Sequence, residues 1–476
     1  MSQNDLTDLS IAEAAALIVR RQVSPSELTE AYLARIEEQN PLLNAYVTVT
    51  AEAARAEARA AEEEIAHGTY RGPLHGIPIA LKDLYATKGV RTAAGSKILW
   101  DRVPDADATV TRLLREAGAI ALGKTNTHEF AFGVTTNNPH FGATRNPWNP
   151  DCIPGGSSGG SGAAVAAGMA AMAMGTDTGG SIRIPAALCG TVGLKATHGR
   201  ISTAGIIPLS WTLDHAGPLT RTVEDAAIVL DAIAGADPND PMTVPVPVED
   251  YRKDLAAGVR GLRFGVLYGA QFDPLDAEVA AALDTAFAIS RDLGATTDDV
   301  DGTLFGDGRT AVSDIMMLEA QHYHAASLRD RPEDFGDDVR ARLTRRTDMT
   351  ADELLAALRT RDAITVAASH LMERYDALLL ATTRIPAPPI AGQTIVIDGE
   401  EVFAPSVLTA NTNPFNLTGM PALSVPCGFT AAGLPIGLQI VGRRWDEATV
   451  LRIGAAYERA TDWHRRRPAL IQAASK

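Results

Sequence analysis

Cysteine is scarce in this 476-residue chain, which has only Cys152, Cys189 and Cys427. An odd, sparse count without metal-ligand spacing excludes a disulfide scaffold and a cysteine-based metal centre, and it fits a reducing compartment. Cationic excess is also absent. Lys and Arg number 43 against 58 Asp and Glu, leaving a net charge of −15. That balance makes a nucleic-acid backbone a poor direct partner. No run of about twenty apolar residues occurs, so no membrane-spanning helix is expected. The apolar stretch from Ala163 is cut by Gly168 and Gly175. The opening MSQNDLTDLS lacks the basic and apolar regions of a secretory signal. These absences together imply a cytoplasmic protein with no membrane partner. Ten histidines are scattered through the chain, and none falls in a motif that marks a general base or a metal ligand.

Glycine, serine and small apolar residues are abundant in one place. Residues 155–186 read GGSSGGSGAAVAAGMAAMAMGTDTGGSIRIPA, and five of the eight residues from 155 to 162 are Gly. Glycine permits positive φ and close approach of the main chain to a ligand, but a Gly/Ser run alone reads equally well as a linker. The flanks decide against a linker. Residues 163–174 are almost wholly small or apolar and read as a buried helix. In the second cluster, Asp177 and Arg183 would each be costly to bury alone. As a pair they would brace the Gly-Gly-Ser turn between them.

Three known motifs fail here. G-x-S-x-G fits at Gly155–Gly159, but a nucleophile elbow must follow a buried strand. The preceding Pro150 and Pro154 oppose one. A phosphate-binding loop needs a terminal G-K-[ST], and no Lys occurs from 155 to 185. The dinucleotide fingerprint breaks at Val165, where a third Gly is required.

What remains resembles the signature of the amidase signature family of serine hydrolases. The resemblance rests on Gly-Gly-Ser157-Ser158-Gly-Gly, on Gly-Thr-Asp177-Thr-Gly-Gly-Ser181-Ile-Arg183-x-Pro185, and on Gly76-Ile-Pro-Ile-Ala-Leu-Lys82-Asp83. It extends from Ser24-Pro25 to 433–442. The resemblance implies an α/β fold with a large mixed twisted β-sheet sandwiched between α-helical layers. It also implies a Ser-cisSer-Lys triad. Ser181 would be the nucleophile, Ser157 the bridging serine and Lys82 the base. The main-chain N–H groups of Thr178, Gly179, Gly180 and Ser181 would form the oxyanion hole. Ser158, Asp177 and Arg183 would be supporting residues, with Ser158 near enough to hydrogen-bond Lys82. No metal or organic cofactor is implied. His128, His198 and His215 are read as packing or hydrogen-bonding residues. A base at Lys82 would have to be neutral near pH 7, which costs about 4.6 kcal/mol from an unperturbed pKa of about 10.4. Burial in an apolar strand supplies a shift of that sign.

Elements alternate along the chain, as in a layered α/β fold. Capping boxes at Ser10/Glu13 and Ser24/Glu27 start helices at about 11–21 and 25–39. Further helices are expected at 51–66, 106–116, 222–235 and 275–293, and strands at 76–84, 120–123, 262–268 and 376–381. Residues 382–393 read as a Pro-rich loop, and 421–426 and 434–441 as final core strands. The reading is one domain over 1–476. Its N-terminal helices cover about 10–66, the signature core about 74–225, a helical cover about 310–374 and a C-terminal core about 375–476.

Two family segments depart from common wording at three residues: Ala196 stands where Pro is frequent, and Ala381 and Arg384 do the same further on. Arg384 bears on substrate polarity, because its loop is expected to border the acyl pocket with parts of 130–141 and 310–324.

The leading expectation is a free-standing amidase, a hydrolase of linear amides acting through a Ser181 acyl-enzyme, with esters, anilides and carbamates within its chemistry. Its partner would be a small-molecule amide, with no direct nucleic acid and no membrane, and a homodimer is left open. The alternative is the amidase subunit of a tRNA-dependent glutamyl/aspartyl amidotransferase. Ser210-Trp-Thr-Leu-Asp-His-Ala-Gly-Pro218 is more similar to free-standing amidases, because the subunit tends to carry Ser-Ser-Leu-Asp-Gln there.

Overall fold

The computed structural model describes residues 6–269, 272–392, 394–397 and 399–469. Both N-terminal capping boxes form. Ser10 Oγ accepts the Glu13 N–H at 3.1 Å and Glu13 Oε2 accepts the Ser10 N–H at 2.8 Å, opening α1 (Ile11–Val19). Ser24 and Glu27 repeat the arrangement at the same distances to open α2 (Pro25–Leu43). Each reciprocal pair satisfies main-chain donors that a helix start leaves unpaired.

The elements that follow are β1 (Tyr46–Val49), α3 (Ala51–Ala66), β2 (Pro78–Lys82), α4 (Thr109–Glu116) and β3 (Ile120–Thr125). Next come α5 (Gly159–Ala166), β4 (Met172–Asp177), α6 (Arg183–Cys189), β5 (Val192–Lys195), β6 (His215–Thr220) and α7 (Val223–Ile233). The second half holds β7 (Arg263–Tyr268), α8 (Ala277–Asp292), β8 (Thr296–Asp301), α9 (Gly308–Asp330), α10 (Asp337–Leu343), α11 (Ala351–Met372) and β9 (Ala377–Ala381). The chain closes with α12 (Asn413–Leu417), β10 (Ala422–Phe429), β11 (Pro435–Val441) and α13 (Glu447–Arg459).

These strands form one 11-stranded mixed sheet in the order β1-β3-β2-β4-β6-β5-β10-β11-β9-β7-β8. Strand β2 runs parallel to both neighbours, β3 and β4. From β4 through β9 the pairings are antiparallel. Helices pack on both faces. One apolar cluster joins Ile18, Leu28, Val165, Leu230 and Val450. A second joins Val312, Ile315, Ile364 and Phe415 on the side of α9 and α11.

The buried helix expected over 163–174 is two elements. Gly168, at φ +66, ends α5, and Met172–Asp177 is strand β4. Every residue of β4 is buried, so the strand lacks the polar alternation that separates strand from helix. Strand β6 was not among the expected strands; it contains Gly217 and Pro218, and Pro218 pairs with Met174 inside the sheet. Gln393, the end of the expected Pro-rich loop, and the chain ends near 1 and 476 lie outside the described residues. We propose that the chain is one domain, because its single main sheet draws strands from Tyr46 to Val441.

Gly123, at φ +151 inside β3, shows how tightly this sheet is built. A Cβ there would lie 2.1 Å from the main-chain oxygen of Thr48. Gly123→Ala is expected to cost about 2–4 kcal/mol, from a strained φ and a backbone clash. Gly89→Ala, at φ +75 in open space, should cost about 1 kcal/mol. Denaturant unfolding of both variants measures the difference, and equal losses would contradict the β1–β3 approach described here.

Candidate active site

Lys82 is the last residue of β2, beside β4 at the carboxyl ends of two parallel strands, where ligands of open α/β sheets bind. Register sets its neighbours. Leu81 pairs with Met174, which brings Lys82 level with the end of β4. Its Nζ donates to Thr176 Oγ1 at 2.8 Å and to Ser157 Oγ at 2.7 Å. The lysine is 0% exposed. Desolvation lowers its pKa to about 7, against the pull of the Asp214 and Asp177 charges in the other direction.

Ser157 follows a cis peptide bond from Gly156. A Cβ on Gly156 would sit 2.7 Å from the main chain of Val134 and Thr135, so only glycine fits this approach. Ser158 lies beside the lysine without bonding to it. Its Oγ meets the carbonyl and N–H of Thr176, both at 3.2 Å, and its N–H donates to the Ser181 carbonyl at 3.3 Å. The hydrogen bond to Lys82 expected of Ser158 is made by Thr176 instead, because Ser158 is occupied by the β4 main chain.

Asp177 and Arg183 form a fully buried ion pair. Oδ1 and Oδ2 of Asp177 take the guanidinium at 2.8 and 3.0 Å. Arg183 donates also to Thr412 O, Gln439 Oε1 and Asn416 Oδ1, so every N–H of its fork is used. Burial alone would raise the Asp177 pKa. The charges of Arg183 and Lys195 and the Asn416 hydrogen bond reverse that and hold it well below the usual carboxylate range. Asp177 also accepts the N–H groups of Gly180 at 2.8 Å and Ile182 at 3.1 Å, which folds the turn that presents Ser181.

Ser181 is 5% exposed, and its hydroxyl makes no hydrogen bond among the described residues. The structure thus holds Lys82 and Ser157 in contact, while a Ser181–Ser157 bond is not formed; such bonds often tighten only with substrate. Of the four main-chain donors expected to face an oxyanion, Gly180 is engaged by Asp177. Thr178, Gly179 and Ser181 N–H have no acceptor among the described residues. Gly180 has φ +133, and a Cβ there would lie 2.3 Å from Thr412 Oγ1.

Two residues had no marker that assigned them to the site. Thr176 lies inside the Gly-Thr-Asp-Thr run but projects beside Lys82 only through strand register. Asp214 accepts Thr178 Oγ1 at 2.5 Å and the N–H groups of Leu209 and Ser210 at 2.9 and 3.1 Å. Burial raises its pKa to about 6. Ser210 Oγ in turn donates to Glu319 Oε2 of α9 at 2.6 Å.

The histidines have other work. His128 Nε2 meets Asp338 at 2.8 Å. His215 Nδ1 lies 2.7 Å from Leu213 O, and His198 packs edge-on against its ring. Burial depresses His215 far below the usual value and takes His198 down to about 4. Phe130, Leu209, Ala320 and Phe335 form an apolar cluster with Leu84, two residues beyond Lys82. Arg384 is half-buried and donates to Asn411 Oδ1 at 3.2 Å. A cavity of about 750 Å³, lined in part by Leu33, Glu37, Asn44 and Phe141, contains none of these groups.

The candidate site is thus a serine-bearing turn after a central strand, beside a desolvated lysine. The family model described as Amidase matches residues 27–451, and the chain belongs to that family; it is an enzyme class acting on C–N bonds. The A-subunit of glutamyl-tRNA(Gln) amidotransferase in Geobacter metallireducens is 43% identical over 97% of this chain and 99% of its own length. Among solved structures, a chain of a vestigial protein complex bearing on the origins of an s-triazine catabolic enzyme superposes with TM-score 0.91. It has 37% identity and covers 95% of this chain and 98% of that one. The corresponding glutamyl-tRNA(Gln) amidotransferase A-subunit from Thermotoga maritima gives TM-score 0.81 at 34% identity, with 96% and 95% covered.

These names overturn the expected partners, a small-molecule amide with no direct nucleic acid and a homodimer left open, because the curated relatives are subunits of a glutamyl-tRNA(Gln) amidotransferase. The net charge on which that expectation rested describes one chain. It carries no information about a basic surface on another subunit. Among the described residues, no helix is long and apolar enough to cross a membrane.

A candidate base must be neutral to take a proton. Below about pH 7 an increasing share of Lys82 is charged, so kcat/KM should fall about tenfold per pH unit on that limb. Asp214→Asn removes one of the two negative charges that favour the ammonium, so the midpoint should move to lower pH. Profiles of kcat/KM on parent and variant test this; an unmoved or raised midpoint would show that the Asp214 charge does not act on Lys82.

Proposed function

We propose that this chain is the amidase subunit of an amidotransferase of the glutamyl-tRNA type, releasing ammonia from the side-chain amide of glutamine. The observation that carries the reading is sequence likeness to such subunits along almost the entire length of both chains. The bond cleaved is a linear amide, and the machinery is Ser181, Ser157 and Lys82.

In this reading Ser181 Oγ attacks the amide carbon and forms the C–O bond. Its proton moves to Ser157 Oγ as the Ser157 proton moves to neutral Lys82 Nζ, along the 2.7 Å contact. A hydroxyl suits the bridge because it donates and accepts at once. The developing oxyanion meets the N–H groups of Thr178, Gly179 and Ser181, fixed in place before reaction. Return of the proton through Ser157 to the leaving nitrogen breaks the C–N bond and frees ammonia. Water then attacks the ester at Ser181 and gives its proton through Ser157 to Lys82; return of that proton to Ser181 Oγ breaks the acyl C–O bond, frees glutamate and restores the serine.

Hydrolysis of an amide other than glutamine is the second reading. It is favoured by the 210–218 segment, which is more similar to free-standing amidases.

Two measurements test these readings. Affinity capture from the native host should bring down a stoichiometric partner that binds tRNA, and ammonia release should follow glutamine. Capture of no such partner, together with turnover of acyl-p-nitroanilides but not glutamine, would overturn the first reading in favour of the second. For the machinery, Ser181→Ala should abolish acyl-enzyme formation. Ser157→Ala and Lys82→Ala should each lower amide turnover by about 10²–10⁴-fold, without additivity in the double variant. Hydrolysis of an activated ester should fall less, because a phenolate leaves without a proton. Near-parental amide turnover by Lys82→Ala would remove the lysine from the base role.

A further inference from the structure

The main chain of Ser157 is gripped as firmly as its side chain. Its carbonyl accepts the His128 N–H at 3.1 Å, Thr127 Oγ1 at 3.0 Å and Thr136 Oγ1 at 3.2 Å. All three donors come from 127–136. Within that stretch Phe130 and Ala131 are consecutive non-glycine residues at φ +50 and +60. Such conformations cost about 1–3 kcal/mol each and persist only where the surroundings impose them.

The surroundings that impose them come from the helical cover, some two hundred residues further along the chain. His128 Nε2 and Asp338 Oδ2 are 2.8 Å apart. Glu129, 0% exposed, accepts the Gly336 N–H at 2.8 Å through Oε2. Its Oε1 takes Ser96 Oγ at 2.6 Å and His140 Nε2 at 2.9 Å. The Phe130 ring lies 5.7 Å from that of Phe335. Arg342 Nη1 donates to Phe132 O at 2.8 Å. Four of the five residues from 128 to 132 are thus each tied to 335–342.

We propose that 335–342 is a clasp that positions Ser157, with Asp338 acting through His128, so that the cover sets the geometry of the proton relay as well as enclosing the site. The proposal rests on the bridging role given to Ser157 above. A bridging hydroxyl must stand in line with a donor on one side and an acceptor on the other, and displacement by about 1 Å can cost roughly 10²-fold. Loosening the clasp would act on the relay and leave the nucleophile and the oxyanion donors in place, since these are held by Asp177 and Arg183.

The signature is therefore a loss selective for poor leaving groups. Parent, Asp338→Ala, Asp338→Asn and Ser157→Ala would be compared on glutamine and on γ-glutamyl p-nitrophenyl ester. Asp338→Ala should lower kcat on glutamine by about tenfold or more, with a smaller loss on the ester and little change in KM. Asp338→Asn keeps an acceptor for the His128 ring and should recover most of the loss. Asp338 is partly exposed, so its truncation leaves no core cavity. Arg342→Ala, which releases Phe132 from the same segment, should give the same selective pattern.

Equal losses on both substrates, or no loss, in Asp338→Ala and Arg342→Ala would overturn the clasp if Ser157→Ala remained selective for the amide. Absence of selectivity in Ser157→Ala itself would instead refute the bridging role, and with it the basis of the clasp.

Discussion

Lys82 ends its strand fully buried, and the cost of that desolvation shapes what lies near it. The lysine is brought to a pKa of about 7 by burial, while Asp214 and Asp177 limit the fall. Were both carboxylates beside it as direct partners, the lysine would stay charged and useless as a base. Asp177 is instead committed to Arg183 and to the turn before Ser181, and Asp214 to Thr178 and the 209–210 main chain. The contacts of Lys82 are two hydroxyls, from Ser157 and Thr176. Both can accept from an ammonium and donate to an amine, so the site tolerates either charge state without rearrangement.

The Asp177–Arg183 pair has a different part. Removing one partner of a fully buried pair typically costs about 3–5 kcal/mol, because the other charge is left without compensation. Here the pair spans β4, α6, the α12 region and β11 through Thr412, Asn416 and Gln439. The signature turn is thereby fastened to strands and loops contributed more than two hundred residues later. The far half of the sheet and the helical cover thus support a candidate site whose lysine and serines, Lys82, Ser157 and Ser181, all come from the first half of the chain.

The motif residues were legible because their chemistry is local. Asp177, Gly180 and Arg183 lie within one turn, and their spacing alone suggested a braced Gly-Gly-Ser segment. Capping boxes at Ser10 and Ser24 were legible for the same reason, since cap bonds reach three residues. The helix misread over 163–174 fell where locality fails. A strand buried on both faces has no period, and only its pairing with β2 and β6 separates it from a helix. Thr176 and Asp214 were missed because each is selected by register and by a neighbouring strand rather than by spacing in the chain.

By itself the sequence determined the family and the α/β class, since the signature motifs are residue types at short, fixed separations; the candidate nucleophile, bridge and base came only as what the resemblance implies. It also held the alternative of an amidotransferase subunit, but the charge of a single chain could not decide between partners that lie on other chains. Tertiary structure alone decided which hydroxyl meets Lys82, which main-chain donors remain for an oxyanion, and how the cover reaches Ser157. Those outcomes depend on distances across strands and layers, and folding sets such distances through burial and pairing that no separation along the chain records.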